Sequence, residues 1–468
     1  MRLRPLAFAF LLAGLAGNAS AADLMQAYEL ARDSDPQLAA AEAQMLGQGE
    51  GVVQSRSALL PQLTGSASLS RSDGDSSSIS INVDENDAIS FGPSSGGSDT
   101  TTRSYSLDLR QSLYDHGNYA RLDAAKARAK QAEADYRAAA DGLVVRVADA
   151  YFAVLTAIES LASSRAEERA VKRQLDQAEK RLEVGLAPIT DVHEARARFD
   201  AARANAIAAA NALDDAREAL AEITGKPLEN LRGLSPDFKP EHTDTRGAAY
   251  WVDQALGGNP SLLARELALT AAEEDVSSAR AGHLPTLSAT ASLNDRATWG
   301  TSTSNANTIP ATSASDGHTV GVTLSVPLFS GFATQSRVRQ ALHTRDAASE
   351  QLEQQRRAVT RQTRNAYRAL VAGAAEVEAR RLSVVSAQAA YEASEAGLEV
   401  GTRTIVDVLI TQQSLFQAQR EYARARHAFL VNELRLKQAA GNIGVNDLEA
   451  VNRSLVHDAE AALADLGE

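Results

Sequence analysis

The chain has no cysteine. That absence removes disulfide scaffolds, thiolate metal sites and cysteine nucleophiles together. Aromatics are scarce at 5%, although hydrophobic residues reach 44%. A sizeable interior can form, but Ala, Val and Leu must fill it. The 12 prolines and 29 glycines are too few for a collagen-like or wholly disordered chain. A basic excess is missing too: 47 Lys and Arg against 60 Asp and Glu leave a net −13. A nucleic-acid binder would show a basic footprint, so none is expected as a partner. Catalytic motifs are absent. The eight histidines, His116, His193, His242, His283, His318, His343, His427 and His457, are scattered with no His-Glu-x-x-His helix. Gly225-Lys226 runs into Pro227 without the upstream glycine of a phosphate loop, and no Gly-x-Ser-x-Gly elbow occurs. Asp84-Glu85-Asn86-Asp87 lacks the spacing of a calcium loop and reads as a solvated turn. Enzyme chemistry, a cofactor and a resident metal are therefore not expected.

Arg2 and Arg4, the apolar run Leu6 to Leu15 and the small-x-small Ala19-Ser20-Ala21 form a secretory signal peptide over 1–21. The apolar run is too short to cross ~30 Å of hydrocarbon. No cysteine follows the cleavage site, so a lipid anchor there is not expected. Removal of the two arginines leaves 45 basic against 60 acidic residues, a net −15. Nothing later approaches ~20 unbroken apolar residues, so no spanning helix is expected. The exported chain is then either soluble or a membrane β-barrel.

Length alone, at ~100–200 residues per domain, predicts two to four domains, but an internal repeat sets the organisation. Asp35-Pro36-Gln37-Leu38 returns as Asn259-Pro260-Ser261-Leu262, and Leu60-Pro61-Gln62-Leu63 as Leu284-Pro285-Thr286-Leu287, both 224 residues on. Leu182-Glu183-Val184-Gly185 returns unchanged as Leu398-Glu399-Val400-Gly401, 216 on. Repeat 1 spans 22–230, with strands over 62–72 and 103–113 and long helices over 118–184 and 188–224. Repeat 2 spans 249–440, with strands over 285–294 and 318–328 and helices over 332–400 and 403–439. Between them lies a proline-bearing segment, 225–248, and after them a tail, 441–468.

Asn118 to Val184 has no proline and one glycine. As one helix it would extend ~100 Å. Val144, Val147, Tyr151, Val154, Ile158 and Leu161 are spaced as a coiled-coil seam. Alanines crowd other positions, as at Ala208-Ala209-Ala210, and let helices approach closely. An ordinary helical bundle would also satisfy these features. Four strands separate the readings. Leu63, Gly65, Ala67 and Leu69 alternate with polar residues, as do Tyr105, Leu107 and Leu109. Leu287, Ala289, Ala291 and Leu293, and Val320, Val322, Leu324 and Val326, repeat the pattern. Each run suits the ~9–11 tilted residues of an outer-membrane strand with lipid on one side and water on the other. The polar segments Ser72 to Thr102 and Asp295 to His318 read as surface loops. Tyr114, Tyr119, Phe329 and Phe332 follow the strands, as an aromatic girdle or as junction packing.

Four strands cannot close a barrel, and roughly eight are the minimum. Open edges in lipid would leave backbone groups unpaired. Copies must then share one barrel: two would give eight strands with little lumen, and three, the favoured number, twelve.

These features together closely resemble the TolC family of outer-membrane channel proteins, near the member that names it. The resemblance runs from Leu24-Met25-Gln26-Ala27-Tyr28 to Asp447-Leu448. Its most specific blocks are Leu59-Leu60-Pro61-Gln62-Leu63, Tyr151-Phe152-Ala153-Val154-Leu155, Gly185-Leu186 with Ile189-Thr190-Asp191-Val192, Gly282-His283-Leu284-Pro285-Thr286-Leu287, and Val400 to Leu409. It implies a mainly α fold with a membrane β-barrel. Specifically, it implies a homotrimer with one shared 12-stranded outer-membrane β-barrel, a periplasmic α-helical coiled-coil barrel, and an equatorial band at 225–248 and after Ala440. The function it implies is the exit duct of tripartite efflux pumps and type I secretion, in the outer membrane and extending into the periplasm. Its partners would be a periplasmic adaptor and an inner-membrane transporter of ABC, RND or MFS type, with outer-membrane lipid around the barrel. The other reading kept open is a soluble periplasmic coiled-coil adaptor, which needs no duplicated strand pair.

The resemblance also assigns residues. The two helix breaks would form the periplasmic tip, with Gly185, Leu186, Gly401 and Thr402 contacting the adaptor. Arg403 resembles a linking arginine of the closed state, with Thr190 and Asp191 as partners on the neighbouring coil. Asp407 resembles an aspartate that narrows the aperture, where three copies would ring the axis and could bind cations. Two departures stand out. Ile410 replaces a second aspartate of the gate, so cation block should be weaker than in a two-ring relative. Leu398 replaces a tyrosine that links to the Asp191 position, so one closed-state hydrogen bond is missing.

Overall fold

The computed structural model describes residues 22–83, 89–235, 238–240, 246–304 and 307–461. The signal-peptide expectation and the Asp84–Asp87 turn lie outside the described residues. In chain order the elements are α1 (Leu24–Ser34), α2 (Pro36–Ser57), β1 (Gln62–Val83), β2 (Ile89–Tyr114), α3 (His116–Glu183) and α4 (Ile189–Thr224). Then come β3 (Arg232–Leu234), α5 (Gly247–Gly258), α6 (Pro260–Arg280), β4 (Thr286–Ser304), β5 (Asn307–Pro310) and β6 (Ser313–Ser325). The chain ends with α7 (Ala333–Glu399), α8 (Ile405–Ala439), α9 (Val445–Asn452) and β7 (Leu455–Asp458). The order helix, strand pair, very long helix, long helix occurs twice. Two compact units result. One holds 44–133 and 264–353, and the other holds the remaining described residues.

In the first unit an antiparallel sheet runs β1-β2-β4-β6, with β5 also on β4. The two halves meet where β2 pairs β4, with Leu107 opposite Leu293. Apolar positions align in rows: Leu63 faces Leu109, Leu109 faces Ala291, and Ala291 faces Val320. Leu63, Leu69, Leu109, Leu293, Val320 and Leu324 are exposed on this face. On the other face Ser66 meets Ser106 at 2.9 Å and Ser68 meets Ser104 at 2.7 Å. Farther along, charges replace the apolar rows, with Arg103 to Asp295 at 3.2 Å and Arg71 to Asp99 at 2.6 Å. β1 and β6 each pair on one side only, so both edges are open among the described residues. Tyr114, Tyr119, Phe329 and Phe332 are exposed, and the two phenylalanines meet edge-on at 5.6 Å.

The strands outrun the sequence expectation. β1 continues from 72 to Val83 and β2 begins at Ile89, so most of Ser72 to Thr102 is ladder rather than loop. Ser72 pairs Thr100 and Ser76 pairs Gly96. Cross-strand pairing overrides the low strand preference of Ser, Gly and Asp. Likewise β4 reaches Ser304 and β6 starts at Ser313, inside the second polar segment. β6 stops at Ser325, short of 328, just before Pro327, which has no N–H for a ladder.

In the second unit the expected seam is the core. Val144, Val147, Tyr151, Val154, Ile158 and Leu161 are all buried, with Phe429, Leu430 and Leu434 of α8 in the same cluster. Tyr151 donates its hydroxyl hydrogen bond to the carbonyls of Ala22, at 3.1 Å, and Arg232, at 2.8 Å. It thereby ties α3 to the two-stranded β3–β7 sheet and its parallel bridge, Ala22 to Leu231. Gly225 and Gly441, 216 apart, end α4 and α8 in the left-handed region. Near the first, buried Asp35 pairs with Arg146. Their repeat-2 counterparts are neutral: Asn259, which donates to the Ala439 carbonyl at 3.0 Å, and Gln362.

Candidate gate at the two helix breaks

Both long helices end in the same way. Gly185 and Gly401 have φ of 73° and 79°, which glycine adopts without strain. The Leu186 N–H returns to the Arg181 carbonyl at 2.8 Å and the Gly185 N–H to Leu182 at 2.9 Å. In repeat 2, Thr402 returns to Gly397 at 2.8 Å and Gly401 to Leu398 at 3.3 Å. These are paired Schellman closures, which satisfy the last carbonyls of each helix. They push Val184, Leu186, Ile189 and Val400 into solvent, Leu186 at 78% exposure. Gly185, Gly401 and Thr402 are exposed too.

The restart after each break differs. α8 opens with a capping box. The Thr404 N–H and hydroxyl each donate to Asp407 Oδ2 at 2.9 Å, and the Asp407 N–H donates to Thr404 Oγ1 at 3.3 Å. These Thr404 bonds, backbone first, with the Arg403 charge behind them, hold the Asp407 carboxyl below its ordinary range. α4 instead starts after Pro188, which offers no side-chain cap. Asp191, the counterpart of Asp407, therefore has no side-chain hydrogen bond or ion pair among the described residues, and neither has Thr190. The Thr-x-x-Asp spacing at 404–407 is a sequence signal for this cap that the aperture assignment passed over.

The expected Arg403 link is not formed within one chain. No hydrogen bond or ion pair joins Arg403 to Thr190 or Asp191 among the described residues. The Arg403 stem instead lies on Gly397, where a Cβ would stand 2.6 Å from its Cγ. Leu398, in place of the tyrosine, packs on a small core of Val171, Leu175 and Ala178 from α3, Val192 and Ala195 from α4, and Ile405 and Leu409 from α8. That core fixes both breaks side by side. Ile410 follows Asp407 on the same face of α8 and is 46% exposed.

Sequence reasoning also missed a polar cluster farther along the same helices. Arg426 donates to Glu159 Oε2 at 3.1 Å, and His427 Nδ1 lies 2.8 Å from Thr156 Oγ1. Burial outweighs the Arg426 charge and lifts the Glu159 carboxyl above its usual range. Burial also pushes the His427 imidazole down to about 3.

A duplicated chain with an open apolar-faced sheet, paired long helices and two capped breaks defines the class of outer-membrane efflux channels. The family described as outer membrane efflux protein matches residues 27–226 and 251–442, and the chain belongs to it. It is 36% identical to the outer membrane protein TolC of Vibrio cholerae over 457 residues, 97% of this chain and 98% of that protein. It is 31% identical to the alkaline protease secretion protein AprF of Pseudomonas aeruginosa over 452 residues, covering 96% and 90%. In fold it is similar to the CmeC outer membrane channel of Campylobacter jejuni, with a TM-score of 0.70 at 18% identity over 97% of this chain and 98% of that one.

Proposed function

We propose that the chain is one third of an outer-membrane exit duct for efflux and type I secretion. The observation that carries this reading is the sheet of four long strands, β1, β2, β4 and β6, with the short β5 beside β4, which has an exposed apolar face and two open edges among the described residues. In lipid each unpaired edge group costs several kcal/mol, so the edges must meet other copies. Three copies give twelve strands, enough for a water-filled lumen. The relatives' names, which speak of secretion and of outer membrane proteins, agree with a conduit. A soluble adaptor has no use for this sheet, and the family match runs against that reading.

The breaks act as the gate. The exposed Val184, Leu186 and Val400, with Gly185, Gly401 and Thr402, present an apolar tip to a periplasmic adaptor, and an inner-membrane transporter supplies the driving force. Arg403, Thr190 and Asp191, whose side chains make no hydrogen bond or ion pair among the described residues, link neighbouring coils and hold the tip shut. Asp407, its carboxyl held below the ordinary range by the Thr404 bonds, rings the axis beside the apolar Ile410 and attracts cations. Planar-bilayer recording tests the gate. Asp407→Ala is expected to raise single-channel conductance or weaken trivalent-cation block, and Arg403→Ser to enlarge the opening. Unchanged conductance and block in both would remove these residues from the aperture.

A further inference from the structure

The polar face of the β1-β2-β4-β6 sheet is almost free of charge. From the row of Gln62, Arg110, Thr290 and Gly321 to the row of Ser72, Thr100 and Gly300, its positions are Ser, Thr, Gly, Asn or Gln with three exceptions. The exceptions are Asp108, Arg110 and Arg296. Two arginines against one aspartate leave this face a net positive charge, in a chain whose total is −13. The two arginines differ in their surroundings. Asp108, which accepts from the Ser106 hydroxyl at 2.8 Å, lies two residues from Arg110 on the same strand, ~7 Å away along the backbone. Arg296 is exposed and makes no hydrogen bond or ion pair among the described residues. Its row holds Ser68, Ser104 and Ser315, of which Ser68 and Ser104 meet at 2.7 Å. The nearest carboxylate on this face of the sheet, Asp108, pairs with Ser292, so it stands four residues or ~13 Å along β4 from Arg296. Asp295, next in sequence, belongs to the opposite face and is held by Arg103 at 3.2 Å. A guanidinium among hydroxyls, with no carboxylate in reach, is a set of donors that suits a phosphate, sulfate or carboxylate group.

We propose that Arg296, one from each copy, forms a polyvalent-anion site on the wall of the duct. This rests on the reading that three copies share one barrel, and it names the class of ligand that the lumen takes. In that barrel the polar face lines the water channel. The edge strands β1 and β6 carry no charge on this face over the same rows, so a neighbouring copy brings no carboxylate there to neutralise Arg296. Arg71 with Asp99 and Arg103 with Asp295 are paired in place on the opposite face, away from the lumen. Twelve strands ~4.8 Å apart and tilted ~40° give a radius of ~12 Å. The Debye length is ~8 Å at 0.15 M salt and ~30 Å at 0.01 M. The three charges therefore act on anions near the wall at physiological salt and across the whole lumen in dilute salt. Single charges leave such a site quickly, whereas an anion with several charges can engage more than one copy at a time.

The test is single-channel recording of the full chain in planar bilayers at low KCl, with inorganic tripolyphosphate added to each side in turn. The parent is expected to be blocked, and the block to fade in 1 M KCl. Arg296→Gln should raise the half-blocking concentration about tenfold or more, and Arg296→Lys should keep most of the block. Arg110→Gln, beside Asp108, and Arg103→Gln, on the other face, should each shift it less than about threefold. A parent channel that tripolyphosphate does not reduce overturns the site. So does an Arg296→Gln channel blocked like the parent, an Arg296→Lys channel as insensitive as Arg296→Gln, or an Arg110→Gln channel as insensitive as Arg296→Gln. Each of those results leaves the shared barrel standing, because the channels still conduct. A parent that forms no channel overturns the shared barrel and the site with it.

Discussion

Glu159→Gln probes the polar cluster that joins α3 to α8. The Arg426 side chain is 10% exposed and Glu159 30%, with a closest approach of 3.1 Å. The amide removes the negative charge and leaves a guanidinium in the wall whose Nε already has no partner. Breaking a buried pair from one side costs ~3–5 kcal/mol. The partial exposure of the carboxylate lowers that here to about 2–3 kcal/mol. Burial outweighs the attraction of Arg426 at the Glu159 carboxyl, so the pair is expected to return little net stability. Replacing both partners, Glu159→Gln with Arg426→Met, should therefore stand within ~1 kcal/mol of the parent. Denaturant unfolding of the detergent-solubilised protein, followed by helical circular dichroism, measures both. A single variant with parental stability, or a double variant as damaged as the single one, would refute the reasoning.

His427 folds neutral. The unfolded chain takes up its proton near pH 6.5 and the folded chain only near about 3, so its contribution is whole above pH 6.5 and shrinks as pH falls. From pH 7 to pH 4 the loss is about 3 kcal/mol, and His427→Gln should flatten that slope in unfolding midpoints; an unchanged slope refutes the assignment. Gly401→Ala forces a side chain into the left-handed region at a cost of ~1 kcal/mol. It should speed exchange of the Thr402 amide, and unaltered protection would show that the closure does not depend on glycine.

Much of the architecture is legible where the chemistry is local or periodic. The Val144 to Leu161 stripe announces a buried seam, and the repeated Leu-Glu-Val-Gly announces two equivalent helix ends. The strand lengths are not legible, because Ser72 to Thr102 has loop composition and becomes ladder only through distant partners, Ser72 with Thr100 in the hairpin and Gly96 with Ser304 in the other half of the chain. Asp35 with Arg146 and Arg426 with Glu159 join residues more than a hundred positions apart, and nothing near either member signals the other. Thr404 with Asp407 is the reverse case, a local pattern in plain view beneath a functional assignment. The links of Arg403 to Thr190 and Asp191 are not formed among the described residues of one chain.

The most direct measurement is the native mass of the protein in detergent, taken together with its strand content. Three chains per particle with an intact sheet is the expected result. One chain per particle with the same sheet content and the same conductance would mean that the open edges close without a partner, and the shared cylinder would have to be abandoned.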